Sequence, residues 1–107
     1  MPLRRTQQMK SFFFALLISL LFASSAAVAG DAAAGKAKSV VCSACHGADG
    51  TSVNPLWPNL KGQKEQYLIK QIKAFRDGTR KDPTMAPMVA ALTDDDIANL
   101  AAFYSSQ

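Results

Sequence analysis

The residues best equipped for chemistry are two thiols and an imidazole in the run Cys42-Ser43-Ala44-Cys45-His46. Two side chains three residues apart lie on one face of a helix, about one turn from each other. That spacing lets both sulfurs bond to the vinyl groups along one edge of a haem, and it holds His46 under the ring. A Cys-x-x-Cys-His run is the attachment signature of c-type haem. The pattern therefore predicts one covalent haem c, with Cys42 and Cys45 as thioether anchors and His46 as an iron ligand.

Two other kinds of site use the same residue types. A redox disulfide of the thioredoxin sort requires strands alternating with helices nearby, and the sequence contains no convincing strand. A structural zinc site requires four ligands. The whole chain has two Cys and one His, so carboxylates would have to complete a zinc shell. The pattern favours haem attachment over both alternatives.

The first 29 residues have the pattern of a targeting segment. A basic start precedes an apolar run over residues 12–23, and Ala27-Val28-Ala29 is an A-x-A cleavage site. This predicts a signal peptide over residues 1–29 and a periplasmic domain over residues 30–107. The alternative is an uncleaved membrane anchor. It is less favoured because a membrane span needs about 17–25 mostly apolar residues, more than this core supplies.

The overall formal charge of +4 belongs mainly to the leader. The leader holds three of the 12 Lys and Arg and none of the 8 acids, so the remainder of the chain carries +1. A nearly neutral domain gives no support to nucleic-acid binding. A domain of this size is marginal on its apolar core alone, and a covalently held haem would provide the additional apolar body for side chains to pack on.

The predicted fold class is all-α, with three main helices. Asp31 is a suitable N-cap for the first, and Gly78 is placed for a left-handed stop after the second. Thr93 with Asp96 resembles a capping box at the start of the third. Gly35 would allow the last helix to cross the first closely, with Phe103 or Tyr104 against it. The predicted helices span approximately Ala32–Cys42, Lys64–Asp77 and Asp94–Ser105.

The segments between the helices supply the remaining candidates. Pro58 lies twelve residues after His46 in a loop rich in Gly, Pro and Asn, and its carbonyl is a candidate acceptor for the other imidazole N–H. Trp57 is expected to pack against the haem or cover it. His46 is the only histidine, so a second axial histidine from this chain is excluded. Outside the leader the methionines are Met85 and Met88, both in the predicted loop before the last helix, and a thioether opposite His46 would raise the reduction potential.

The chain resembles the class I c-type cytochromes, and it is most similar to one half of the di-haem bacterial periplasmic cytochromes c. The matching stretches are Cys42 to Gly47, Pro58 to Gln63, Tyr67-Leu68, Lys70-Gln71, Phe75 to Gly78, and Leu92-Thr93 through Phe103-Tyr104. The resemblance implies the cytochrome c fold, with three main helices and loops wrapped around one haem. It also implies the Pro58 carbonyl bond to His46. In that family the axial methionine lies eight residues before the Ser or Thr that caps the last helix, which selects Met85, with Met88 as the alternative.

The resemblance implies a one-electron carrier of the periplasm rather than an enzyme. The implied partners are a quinol-oxidising complex as donor and a terminal oxidase or reductase as acceptor, with membrane contact only transiently through them. The di-haem relatives carry two such domains, whereas this sequence shows one Cys-x-x-Cys-His, so a monohaem carrier acting as a monomer or homodimer is expected. Some lysines would steer docking to an acidic partner, although an ordinary solvated surface is the favoured interpretation for most of them: Lys61, Lys64, Lys70, Lys73 and Lys81.

Two further functions remain open from the sequence. One is a cytochrome subunit of a larger oxidoreductase, such as a flavocytochrome sulfide dehydrogenase or a sulfur-oxidation complex. The other is a haem-based ligand sensor, which requires a vacant or labile sixth position on the iron. A stable methionine ligand argues against the sensor.

Overall fold

The structure is a computed structural model that describes residues 30–107, and the predicted leader over residues 1–29 lies outside the described residues. The described part is helical and contains no strand, which confirms the predicted class. There are five helices: α1 (Ala32–Lys38), α2 (Val40–His46), α3 (Glu65–Asp77), α4 (Met85–Val89) and α5 (Asp94–Ser105).

The prediction of a single first helix ending at Cys42 was wrong in its boundary. The helical stretch is interrupted at Ser39 and continues as α2 through His46. The Ser39 hydroxyl donates to the Lys36 carbonyl at 2.7 Å, and the Ser43 hydroxyl donates to the Ser39 carbonyl at 3.0 Å. Such side-chain bonds to backbone carbonyls compete with the helical ladder and bend helices. The break separates the haem-motif turn from the helix that packs on α5.

The three predicted helix caps are confirmed. The Asp31 carboxylate accepts from the Ala33 and Ala34 amides at the start of α1. Gly78 follows α3 with φ +83°, the left-handed conformation that terminates helices. At α5 the Thr93 hydroxyl accepts from the amide of Asp96, whose carboxylate accepts from the amide of Thr93 in return.

The core forms where α1 crosses α5. A Cβ atom added to Gly35 would overlap the carbonyl of Asn99, and it would lie 2.9 Å from the Cβ of Phe103, so only glycine permits this approach. The Asp31 amide also donates to Asn99 Oδ1 at 2.8 Å across the crossing. The predicted close crossing at Gly35 is thereby confirmed, with Phe103 as the contacting aromatic residue. The buried cluster at this crossing consists of Leu68, Leu100, Ala101, Phe103 and Tyr104.

The short helix α4 was predicted as loop, and that prediction was wrong. The Asp82 carboxylate accepts from the amides of Thr84 at 2.8 Å and Met85 at 3.0 Å, which nucleates one helical turn. Pro87 is tolerated because it lies in the first turn, where backbone N–H groups have no partner within the helix. The side chain of Val89 is buried and anchors this turn.

Candidate functional site

Helix α2 carries both thiols and the imidazole within five residues, at positions 42, 45 and 46. Cys42 and Cys45 are half-buried free thiols, and His46 is the last residue of the helix. Because the two cysteines are three residues apart in a helix, their side chains project from one face. Cys42 also packs against the buried cluster around Tyr104. The turn is therefore attached to the core at one end and presents the two sulfurs together.

The imidazole of His46 is buried and held by one loop carbonyl. The side chain is only 7% exposed, and Nδ1 lies 2.8 Å from the carbonyl oxygen of Pro58. A carbonyl oxygen only accepts hydrogen bonds, so Nδ1 must carry the proton in this contact. The neutral ring then has its lone pair on Nε2, the nitrogen available to bind a metal.

The loop after α2 returns to His46 through backbone bonds and positive-φ glycines. Gly47 and Gly50 have φ of +81° and +88°, so the chain reverses just after His46. The Gly50 carbonyl accepts from the amides of Leu60 at 2.7 Å and Lys61 at 3.1 Å, which closes the loop over residues 50–61. These bonds bring Pro58 beside His46 although twelve residues separate them in the chain.

Burial dominates the electrostatics next to Cys42. It raises the pKa of the Cys42 thiol, an effect partly offset by the neighbouring Tyr104 hydroxyl. Burial and the nearby Cys42 also raise the pKa of Tyr104 well above its ordinary value. Within residues 30–107 the Tyr104 hydroxyl has no hydrogen-bond partner. Both groups therefore stay protonated at neutral pH, and the site around Cys42 is apolar.

The other predicted residues lie at the periphery of this turn. Trp57 immediately precedes Pro58 and is 40% exposed. Met85 begins α4 and is half-buried, whereas Met88, one turn further on, is 52% exposed. The half-buried position makes Met85 the more protected of the two thioethers.

The chemistry of these donors fits a covalently attached haem. The site offers two free thiols for thioether bonds, and an imidazole whose Nδ1 is engaged so that its Nε2 lone pair faces outward from that bond. A metal ion without a porphyrin would need a different set of side chains. Within residues 30–107, no three His, Cys, Asp or Glu side chains come together as they would around a metal ion.

Sequence reasoning missed two residues that bond to the backbone on either side of the methionines. Arg76 donates to the Leu92 carbonyl, and Asp82 caps the turn that begins at Met85. The Asp82 signal was visible, because an aspartate three residues before a helical residue is a common cap. The role of Arg76 depends on a contact sixteen residues away along the chain, and no local pattern indicates it.

The fold and the donor set together define a class of protein. The sequence profile of the cytochrome c family matches residues 32–107. The chain belongs to the cytochrome c family. Membership assigns this domain one haem c, bound covalently and holding iron.

Two individual relatives show how similar this chain is to known cytochromes and how much of each it covers. It is 46% identical over 99 residues to cytochrome c4 of Pseudomonas aeruginosa, an alignment that covers 92% of this chain and 49% of the relative. It is 55% identical over 82 residues to cytochrome c-554(548) of Halomonas halodenitrificans, covering 74% of this chain and 99% of the relative. The chain therefore spans about half the length of the cytochrome c4 relative and nearly all of the other.

A solved structure confirms the fold. Reduced recombinant cytochrome c4 from Pseudomonas stutzeri superposes with a TM-score of 0.71 at 44% sequence identity, covering 74% of this chain and 46% of that chain. The predicted cytochrome c fold is thus confirmed. Among the described residues, no helix has both the length and the apolar character needed to cross a membrane.

Proposed function

We propose that this protein is a periplasmic electron carrier that moves one electron at a time and transforms no substrate itself. The observation that carries the proposal is the arrangement on α2. Two free thiols and a buried imidazole occupy one turn, and a carbonyl holds the imidazole in the tautomer suited to binding iron. Cytochrome c4 and cytochrome c-554(548) are among the relatives of this chain, which supports the same function.

Each residue of the site has a distinct task in this proposal. Cys42 and Cys45 would hold the porphyrin through thioether bonds, and His46 would bind the iron through Nε2. When bound, haem c supplies an iron that alternates between the ferrous and ferric states. The Pro58 carbonyl fixes the ring orientation of His46 and makes the imidazole a stronger donor, as partners of metal-bound histidines commonly do.

Met85 is the proposed second axial ligand, with Met88 as the alternative. A thioether opposite histidine raises the reduction potential and fills the coordination shell. Met85 is half-buried and its backbone is fixed by Asp82, whereas more than half of Met88 faces solvent. A filled shell suits a carrier, because electrons are transferred without any change in bound ligands. Trp57 is proposed to pack at the edge of the bound porphyrin.

The remaining parts of the proposal concern export and partners. A signal peptide over residues 1–29 would deliver the chain to the periplasm, where haem is attached. Docking partners are proposed to be a quinol-oxidising complex as donor and a terminal oxidase or reductase as acceptor. Lys61 lies 3.4 Å from Asp49 and Lys73 lies 3.9 Å from Asp94, so these two lysines are already partly neutralised. Lys64, Lys70 and Lys81 are the better candidates for steering an acidic partner.

The proposal is tested by producing the full chain in a bacterial host with working haem-attachment machinery. We expect a red periplasmic protein, one haem heavier than the polypeptide that remains after leader removal, with a single reversible one-electron redox transition. Carbon monoxide should bind poorly to the reduced protein at neutral pH, because methionine occupies the sixth position. A colourless protein of apo mass would overturn the proposal. Ready binding of carbon monoxide would favour the sensor, and native co-elution with a flavoprotein would favour an enzyme subunit.

A further inference from the structure

Both candidate methionines lie in one segment, residues 79–93, which we call the methionine segment. It runs from the end of α3 to the N-cap of α5 and contains only the single turn of α4. Val89 is its one fully buried hydrophobic side chain, and most of its other residues are half-buried or exposed. A segment with so little buried apolar surface is expected to open at lower free energy than the helices on either side of it. Apart from Val89 and the partly buried Leu92, its position therefore depends on specific polar contacts.

Arg80 fastens the start of the methionine segment to α3. Its amide donates to the Ala74 carbonyl at 3.0 Å, and its Nη1 donates to Gln71 Oε1 at 2.8 Å. The guanidinium carbon also lies 4.4 Å from the centroid of the Phe75 ring, a cation–π distance. These contacts are close in sequence to the end of α3 and would persist if the rest of the segment moved away.

Arg76 fastens the other end. Its Nη1 donates to the Leu92 carbonyl at 3.2 Å and to Asp94 Oδ1 at 2.8 Å. Its Nε donates to Asp77 Oδ1 at 3.0 Å, which orients the guanidinium toward the segment. The side chain is 21% exposed. One planar guanidinium thus joins α3, the last turn of the methionine segment and the first residue of α5, a geometry that the single ammonium of lysine does not reproduce.

The contacts inside the segment are of a different kind. The Asp82 carboxylate accepts from the Thr84 and Met85 amides, and the Ala86 amide donates to the Asp82 carbonyl at 3.0 Å. These bonds shape α4 but connect it to nothing outside the segment. The part of the segment after Arg80 can therefore move as one piece once the Arg76 contacts break and Val89 leaves its buried position.

We propose that Arg76 is a positioning residue: it holds the methionine segment closed against α3, and thereby sets how readily the methionine on the iron gives way to an external ligand. The inference rests on the proposed function for the existence of a methionine–iron bond. It holds for either Met85 or Met88, because both lie in the same segment. An external ligand reaches the iron only when the methionine moves away, and such movement of the segment breaks the Arg76 bond to Leu92.

The test is a titration of the oxidised holoprotein with imidazole, which competes with methionine for the iron. A hydrogen bond from a charged donor to a carbonyl contributes several-fold to an equilibrium, less where solvent screens it. We therefore expect Arg76→Ala to bind imidazole about three- to ten-fold more tightly than the unchanged protein. Arg76→Lys keeps the charge but not the planar guanidinium with its several donors. Its imidazole affinity should therefore lie between those of the unchanged protein and Arg76→Ala.

Lys73→Ala is the matched control. Lys73 lies on the same helix and pairs with the same carboxylate, Asp94, at 3.9 Å, but it has no bond to Leu92. It should leave imidazole binding unchanged. Unchanged binding in Arg76→Ala would overturn the proposal, and so would an equal effect of Lys73→Ala. The free energy of unfolding in denaturant is measured alongside, because a purely structural role would lower it without changing imidazole affinity in the folded protein.

Two further outcomes are distinguishable. If Arg76→Ala does not fold, Arg76→Lys carries the test, and imidazole affinity equal to that of the unchanged protein overturns the proposal. A colourless product in every variant, with the unchanged chain included, overturns the proposed function and this inference with it. If the proteins are coloured and Arg76→Ala binds imidazole with the affinity of the unchanged protein, this inference alone is overturned.

Discussion

The segment that carries His46 and the segment that carries the methionines are held in place by different kinds of contact. Residues 40–62, here called the histidine segment, are closed by backbone bonds such as Leu60 amide to Gly50 carbonyl at 2.7 Å and Gly62 amide to Tyr104 carbonyl at 2.9 Å. The methionine segment is held by the apolar side chains of Val89 and Leu92 and by polar contacts of the side chains of Arg76, Arg80 and Asp82. Backbone bonds survive most substitutions and changes of salt, whereas exposed charged contacts are individually weak. The two proposed axial ligands should therefore differ in lability, with the methionine side opening first.

The largest expected effect removes the covalent attachment on the histidine side. Changing both Cys42 and Cys45 to alanine should abolish thioether bonds entirely, because no other thiol exists in the chain. Intact mass spectrometry of the exported protein should then give the apo mass. Each single variant should retain one bond at reduced yield, and Ser43→Ala on the same turn should load normally. Covalent haem in the double variant would contradict the assignment of the anchors.

The second-largest expected effect distinguishes Met85 from Met88 as the iron ligand. Met85→Ala should abolish the weak absorption band at the red end of the spectrum that reports iron–sulfur bonding, and should lower the reduction potential. Met88→Ala should keep both, since its side chain is largely exposed. Optical spectra of the oxidised protein decide between them. If Met88→Ala lost the band and Met85→Ala kept it, the two assignments would be exchanged.

A change at the α1–α5 crossing should destabilise the core of the domain. Gly35→Ala introduces a Cβ that overlaps the Asn99 carbonyl, so it should cost about 2–3 kcal/mol in the free energy of unfolding. Ala37→Val, at an exposed position of the same helix, is the control and should cost well under half of that. Urea denaturation measures both. A loss below about 0.5 kcal/mol in Gly35→Ala would show that the crossing relaxes easily.

A smaller effect concerns the cap that ends the methionine segment. Thr93→Ala removes the hydroxyl that accepts from the Asp96 amide, and should lower the free energy of unfolding by about 1 kcal/mol. Thr93→Ser retains the acceptor and should stay close to the unchanged protein. Imidazole affinity should rise less in Thr93→Ala than in Arg76→Ala, because the cap bonds lie beyond Leu92. Equal stability of the Ala and Ser variants would show that the capping bond contributes little to the free energy of unfolding.

The smallest effect is a pH dependence on the methionine side. The Arg76 guanidinium, with help from Lys73, lowers the pKa of Asp94 below its ordinary value of 3.8. The stabilisation is therefore fully present above that value and is lost as the pH falls through the lower pKa of the folded state. Asp94→Asn should reduce the difference in stability between pH 5 and pH 3, measured by urea denaturation at both. An unchanged difference would mean that other carboxylates dominate acid unfolding.

Much of the fold could be predicted because its signals are local. Asp31, Gly78 and the Thr93–Asp96 box mark helix ends through bonds within a few residues, and each was predicted correctly. The break at Ser39 and the turn of α4 were not predicted. Both depend on hydrogen bonds between side chains and the backbone. The alanine-rich composition of the first helix and the loop-like composition before Met85 do not indicate such bonds.

The sequence by itself determined the chemistry: the Cys-x-x-Cys-His spacing, in a chain without strand patterns or further Cys and His ligands, indicates covalent haem. Only the tertiary structure placed the Pro58 carbonyl 2.8 Å from Nδ1 of His46 and brought Arg76 within 3.2 Å of the Leu92 carbonyl. These contacts join residues twelve and sixteen positions apart. Their formation depends on how a loop closes over the site and how α3 packs beside the methionine segment, and no local residue pattern encodes that packing.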